Sequence, residues 1–446
     1  MFARIFTIAY PVIGSRLLSV LLEIISVWFV AKLGIDFLAA YGIAAPIYLA
    51  LYMIAVSYLL VFSVKATHLK NQPTAYMHFT QAGIIFAAAL SVAVMLTLCI
   101  LPSGLLLIGQ SPAVIHRAAS FFYIIALGTP ALFIATILTQ ALIIQGRSLF
   151  LTLTSLLQLL LGILSIAYFT KTTTSGLAGV ALGFDIAYWF RLISVVLYCI
   201  YTKKITFCFQ IKNIKHLYDD IYFLLKLGWP ISLQYGGELL AASIAVLLMG
   251  HLSTSALAVQ QLTSQLQILL IMIPYGLSQA AAIIVAENNF EKNTSYQSSR
   301  KTILRALIIT GLALVLPICF FINLYSVSLI KFFLHPESHY IVFLASVFIA
   351  ISSLAVFLET IRYILIGMLR GIKNTKVSML CSLGSYYLIG LPLAYVLGYV
   401  FNFHTIGIRI GMTLGLLCGV IFLLFYYNYY FSKYEISFKS NREVYI

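Results

Sequence analysis

The sequence predicts an all-α integral membrane protein whose twelve transmembrane helices form two pseudo-symmetric six-helix lobes. Three observations carry that expectation. Of 446 residues, 62% are hydrophobic and only 9% charged, with a mean hydropathy of +1.04. So few ionisable groups cannot cover a water-facing surface. Apolar runs of roughly 20 residues or more recur along the chain, the length an α-helix needs to cross a hydrocarbon core of about 30 Å. Strands of a closed barrel would be short and alternating, and these runs are neither. Finally, the chain echoes itself. Moved back by 219 positions, Pro230, Val246, Leu252, Leu257 and Ala258 fall on Pro11, Val27, Leu33, Leu38 and Ala39 without a gap.

The apolar runs place spans near 5–31, 39–64, 79–101, 118–145, 149–170, 176–202, 220–250, 255–286, 303–325, 340–369, 377–400 and 405–431. The lobes are residues 1–202 and 218–446, joined by a basic connector at 203–217. The formal charge of +15 is a topology signal. Nineteen Lys and Arg fall on one side of the spans and five on the other, the five being Lys32, Arg117, Lys171, Lys331 and Arg409. Basic residues stay inside, so both termini and the connector are expected in the cytoplasm, and a nucleic-acid partner has no support. The first apolar run continues past 25 residues without a small-residue cleavage site, unlike a signal peptide. The six cysteines lack metal or disulfide spacing and read as packing residues.

Span one carries Ser15, Ser19, Glu23 and Ser26 on one helical face, with Arg16 beside them. This is either a self-neutralised polar seam or a wall of a polar cavity. Leu33 to Pro46 reads as a short turn that re-enters the membrane. Gly128-Thr129-Pro130 interrupts span four. Span five holds a second seam of Thr154, Ser155, Gln158, Gly162 and Ser165. In span six, Gly179, Gly183 and Ala187 make a small-residue packing face, while Asp185 and Arg191 point to different faces and need separate partners. Span seven opens the second half: Pro230 is followed by Gln234 and Glu238, one and two turns on. An isolated charge at that depth costs roughly 3 kcal/mol or more, so Glu238 is a functional candidate. Span ten has Glu359 three residues before Arg362, then Leu369-Arg370-Gly371, with Gly371 matching Gly146 at a shift of 225. Span twelve carries Gly407, Gly411, Gly415 and Gly419, a face for close backbone packing. No Walker A loop, HExxH, GxSxG or Cys/His cluster is present, so an enzyme is not expected.

Several motifs, taken in order, resemble the multidrug and toxic compound extrusion (MATE) transporters over nearly the whole chain. They are Pro11 followed by LG…LAA at 33–40, LGWPISLQYGGE at 227–238, ALAVQQ at 256–261, MIPYGLSQA at 272–280, and LRGIKNT with SYYLIGLPLAYVLG at 369–398. The resemblance implies two lobes around a central cavity, alternating access, and sodium- or proton-driven export of amphipathic, often cationic, organic molecules across the cell (inner or plasma) membrane. Repeats rocking about a midplane site are common among secondary transporters. No cofactor is implied beyond the coupling ion. The expected partners are small organic substrates and membrane lipids, and the expected state is a monomer.

The resemblance also implies residue roles. The family's span-seven glutamate, eight residues after the proline, is Glu238. The span-ten aspartate, ten residues before the leucine of LRG, falls on Glu359. Together these two would hold a proton or a sodium ion. The span-one aspartate falls on Ser26, a departure that makes Glu23, three residues earlier, the candidate acid of the first lobe beside Ser19 and Ser26. Gln234, Gln158 and Arg362 are cavity-lining candidates. Two other readings remain. A lipid-linked saccharide flippase shares the two-lobe plan but needs a cationic cavity, whereas the intramembrane charges are four acids and three bases. A membrane-embedded enzyme would need a catalytic cluster.

Overall fold

The computed structural model describes residues 2–107, 112–172, 176–202, 214–252, 254–288, 296–334 and 339–443. Among these residues all regular structure is helical. The first half comprises α1 (Phe2–Leu33), α2 (Ile35–Leu59), α3 (Phe62–Leu69), α4 (Pro73–Leu107), α5 (Pro112–Ile144), α6 (Ser148–Thr172) and α7 (Leu177–Thr202). The second comprises α8 (Ile214–Leu252), α9 (Thr254–Asn288), α10 (Tyr296–Leu324), α11 (Ser326–Leu334), α12 (His339–Gly371), α13 (Thr375–Gly384), α14 (Leu391–Tyr395) and α15 (His404–Glu443). Twelve helical stretches among the described residues are long and apolar enough to cross a membrane, as the hydropathy of the sequence demands. Residues 203–213 of the connector lie outside the described residues, and 214–217 open α8.

Contacts divide the chain into two units, Phe6–Gly236 and Gly237–Ile446 with Met1–Ile5. In the first unit, the turn expected over Leu33–Pro46 shrinks to one residue. Gly34 at φ 117 reverses the chain, helix resumes at Ile35, and Pro46 sits inside α2. A positive φ of that size is open to glycine at little cost. Pro130 inside α5 removes a helical N–H, and the Ala126 carbonyl it frees accepts from the Thr129 hydroxyl at 2.8 Å. The small-residue face of α7 meets α6 backbone directly. A Cβ at Gly183 would lie 2.3 Å from Ile166 Cγ1, and one at Gly179 2.8 Å from the Phe169 carbonyl.

The second unit repeats these devices. α12 lies tightly against α9, where a Cβ at Gly367 would come within 2.3 Å of the Ser278 carbonyl oxygen. The four glycines of α15 press on the preceding span, Thr375–Val400: Gly407 on the backbone of Leu397, Gly411 on that of Ala394, Gly415 on Gly390, and Gly419 on Ser385. That span widens into π-helical turns at Ser385–Gly390 and Val396–Val400, on either side of α14. The ends of α5 and α12 share one capping pattern. Arg147 N–H bonds Leu142 O and Gly146 N–H bonds Ile143 O, while Asn374 N–H bonds Leu369 O and Lys373 N–H bonds Arg370 O. The cap therefore aligns Gly146 with Lys373, a shift of 227, and corrects the 225 read from the glycines alone.

Two of the bases counted by side are buried: Arg370 is 1% exposed near the end of α12 and Arg409 is 8% exposed within α15. Without them the bias is eighteen against four, in the same direction.

Candidate ion-coupling site

Glu238 on α8 and Glu359 on α12 meet in the second unit, but through a third residue. Arg362 Nη1 donates to Glu238 Oε1 at 2.5 Å and Nη2 to Glu238 Oε2 at 3.0 Å. The same guanidinium gives Nε to Glu359 Oε2 at 2.8 Å, with Nη2 2.7 Å from that oxygen. The contact to Glu359 follows from helix geometry, since residues three apart share a face. The contact to Glu238 depends on how α8 meets α12. Gly237 helps set that approach: a Cβ there would lie 2.3 Å from Leu383 Cδ2 of α13, and its carbonyl accepts from Tyr387 Oη at 2.9 Å.

The eleventh span supplies the remaining contacts. Ser382 Oγ accepts from Arg362 Nη1 at 3.2 Å, and Tyr386 Oη donates to Glu359 Oε1 at 3.2 Å. The guanidinium carbon lies 5.2 Å from the Tyr363 ring centre and 5.6 Å from that of Tyr386, within cation–π range. Arg362 is 1% exposed, Glu359 8% and Glu238 12% by side chain, so the acid on α8 is the more open end of the triad. Two carboxylates against one guanidinium leave a single negative charge in excess. Ser382 and Tyr386 carry no sequence signal as ligands, apart from lying in or beside the SYYLIG run. No cluster of three or more His, Cys, Asp or Glu suited to a metal ion occurs among the described residues. Both oxygens of Glu238 face the guanidinium, so Arg362 occupies the seat that a sodium ion between the two acids would need.

The first-lobe candidates are distributed differently. Ser19 Oγ bonds the Ser15 carbonyl at 2.9 Å, a contact within its own helix. Ser26 Oγ donates to the Glu23 carbonyl at 2.7 Å and accepts from Tyr41 Oη of α2 at 2.8 Å. The position of the family acid is therefore a buried inter-helix hydrogen bond. Arg16 turns to Tyr52 Oη at 2.7 Å, and no ion pair reaches the half-buried Glu23 carboxylate among the described residues. Gln158 and Ser155 of α6 both accept from Arg191 of α7, at 2.9 and 3.2 Å, which gives that arginine the partner its face required. Asp185 is buried against α5, where its Oδ1 lies 2.0 Å from the place of a Cβ on Gly128. Gln234 is buried one turn before Glu238, in the first unit.

Comparison with known proteins agrees with this architecture. The MatE family model matches residues 11–165 and 230–396, one stretch in each half. The chain is 26% identical over 426 residues to the "Probable multidrug resistance protein NorM" of Agrobacterium fabrum, covering 91% of this chain and 89% of that protein. Among solved structures, the eukaryotic MATE transporter AtDTX14 superposes with a TM-score of 0.81 at 21% identity over 94% of both chains. An outward-facing multidrug resistance MATE family transporter of the MOP superfamily does so at 0.85 and 16% identity, over 97% of this chain and 96% of that one. At these identities the structural likeness speaks for the fold.

Proposed function

The chain belongs to the MatE family, and from that membership together with the Glu238–Arg362–Glu359 triad we propose that it is a proton-coupled antiporter exporting amphipathic, cationic organic compounds. It is a multi-pass membrane protein of a transporter family and not an enzyme. The reading puts it in the cell (inner or plasma) membrane with both termini cytoplasmic, on the strength of the basic-residue bias.

The single observation behind the coupling step is that one guanidinium holds both acids. Protonating Glu238 removes its charge and weakens the pair that ties α8 to α12, while Arg362 keeps Glu359 one turn away on its own helix. Protonation therefore loosens α8 without stranding a buried charge. Ionised Glu238 tightens the same joint. A ligand that prefers one of these two states shifts the equilibrium, and proton and cargo preferring opposite states makes antiport. A sodium ion would have to displace the guanidinium, which is why the triad favours the proton over sodium. The excess negative charge also suits a cationic cargo better than the pyrophosphate of a lipid-linked saccharide.

The test is cargo efflux from proteoliposomes with sodium and pH gradients imposed separately. A pH gradient alone should drive efflux in the wild type and fail to do so in Glu238→Gln. Efflux driven by sodium alone, and indifferent to pH, would overturn the proton assignment.

A further inference from the structure

Arg409 of α15 is buried in the second unit without a carboxylate partner among the described residues. Its direction is set by the opposite side of its own helix. Gly407 and Gly411 press α15 onto the preceding span, a Cβ at Gly407 coming within 2.5 Å of the Leu397 carbonyl oxygen and one at Gly411 within 2.3 Å of the Ala394 nitrogen. Two residues on from Gly407 is about 200° around an α-helix. Arg409 consequently faces α9 and α12.

There Nη2 donates to Thr263 Oγ1 at 2.7 Å and Nη1 to Gln267 Oε1 at 3.1 Å, and the guanidinium carbon lies 5.1 Å from the Phe348 ring centre. The Nε–H is buried with no acceptor among the described residues. Gln260, Thr263 and Gln267 follow one another at spacings of three and four, along one face of α9. Among the described residues, the Gln260 side-chain oxygen is also buried without a donor, and the contacts of the Arg409 guanidinium are all neutral groups. An intramembrane arginine costs roughly 3 kcal/mol or more unless something compensates it. Of the acids on the membrane helices of this unit, Glu238 and Glu359 are both engaged by Arg362, and Glu287 at the far end of α9 pairs with Arg4.

We propose that Arg409, with Gln260, Thr263 and Gln267, forms an anion-binding site of the second unit that takes one compact monovalent anion, a halide or a carboxylate group. Its free Nε–H supplies the charged donor, and the amides of Gln260 and Gln267 can each turn an NH2 group toward a guest. A single guanidinium balances a single negative charge. A divalent anion would bring one more charge into the unit than the site neutralises. Phe348 closes one face of the guanidinium, which favours a small guest over a bulky one.

The test is melting of the purified full chain in detergent, with chloride or acetate replacing gluconate at constant sodium. It involves no transport, so its failure is separate from failure of the antiport reading. The wild type should show a saturable rise of about 2–4 °C with chloride, acetate or both. Chloride alone would identify a halide site, and acetate would identify a site for a carboxylate group such as one carried by cargo. Gln267→Glu supplies a carboxylate from the chain itself; it should melt above the wild type in gluconate and lose the response. Arg409→Gln should also lose it, and Gln267→Glu decides the matter should Arg409→Gln fail to fold. No saturable rise with either anion in the wild type, or an equal rise persisting in Gln267→Glu, would overturn the site.

Discussion

Arg362 grips Glu238 with both prongs of its guanidinium, Nη1 to Oε1 at 2.5 Å and Nη2 to Oε2 at 3.0 Å, across 124 positions of sequence. A two-pronged, charge-assisted contact of this kind is geometrically demanding, and it is buried at the arginine end. Its consequence is an order of stabilities. Arg362→Gln leaves two carboxylates side by side with no counter-ion and should destabilise the protein by about 3–5 kcal/mol. Glu238→Gln leaves Glu359 on the guanidinium and should cost clearly less. Melting of the two variants in detergent checks this, and Glu238→Gln melting below Arg362→Gln would contradict the triad.

The triad also marks where sequence reasoning reached its limit. Glu238 and Glu359 were legible because each keeps a fixed distance from a proline or an LRG run, and because a charge within an apolar span stands out. Arg362 was legible only as a neighbour of Glu359, since spacing on one helix is the sole rule that sequence offers. Its grip on Glu238 arises from packing between helices, for which no periodicity exists. Ser382 and Tyr386 are hydroxyl residues in an apolar run, indistinguishable there from dozens of others. The twelve spans, by contrast, were legible throughout, because hydropathy and length respond directly to the bilayer. The internal repeat was legible to within two residues, and the capping bonds at Gly146 and Lys373 supplied the correction.

Glu23 and Arg16 give the first unit a different behaviour. Arg16 donates to Tyr52 and forms no ion pair with Glu23 among the described residues, so Glu23→Gln removes a charge without breaking one. The variant should fold with unchanged melting yet lose gradient-driven efflux if Glu23 serves the first lobe in place of the family acid. Arg16→Ala should not be rescued by adding Glu23→Ala. Rescue would show that the two residues form a structural pair after all, and wild-type efflux in Glu23→Gln would remove Glu23 from coupling.

Arg370 offers a gain of stability. All three of its guanidinium nitrogens are buried without an acceptor among the described residues, and the residue is 1% exposed. Replacing an uncompensated buried charge by an apolar side chain of similar length removes a desolvation cost of several kcal/mol. Arg370→Met should therefore melt higher than the wild type by several degrees. A lower melting point would mean that the guanidinium is compensated by something outside the described residues.

Glycine packing makes a paired prediction. A Cβ at Gly411 would fall 2.3 Å from the Ala394 nitrogen, a backbone atom that cannot step aside, whereas one at Gly42 inside α2 meets nothing within 4 Å. Gly411→Ala must push α15 away from the eleventh span, at a cost of about 1–3 kcal/mol for overpacking. Gly42→Ala should be neutral or slightly stabilising, because alanine is the better helix former by about 1 kcal/mol. Equal melting of the two variants would show that the α15 glycines are not there for backbone contact.

Topology gives the last prediction, and it rests on charge alone. A bias of eighteen bases against four predicts residues 203–217 and both termini in the cytoplasm, and residues 335–338 outside. A membrane-impermeant thiol reagent added to intact cells should label Pro336→Cys and miss Asn213→Cys, each made in a background lacking the native cysteines. Disruption of the cells should then expose Asn213→Cys. The direction matters for the transport proposal. Glu238 lies eight residues past Pro230 in a span entered from the connector side, so the connector's side decides from which compartment its proton must come. Labelling of Asn213→Cys in intact cells would invert the whole chain, and with it the direction in which a proton gradient could drive export.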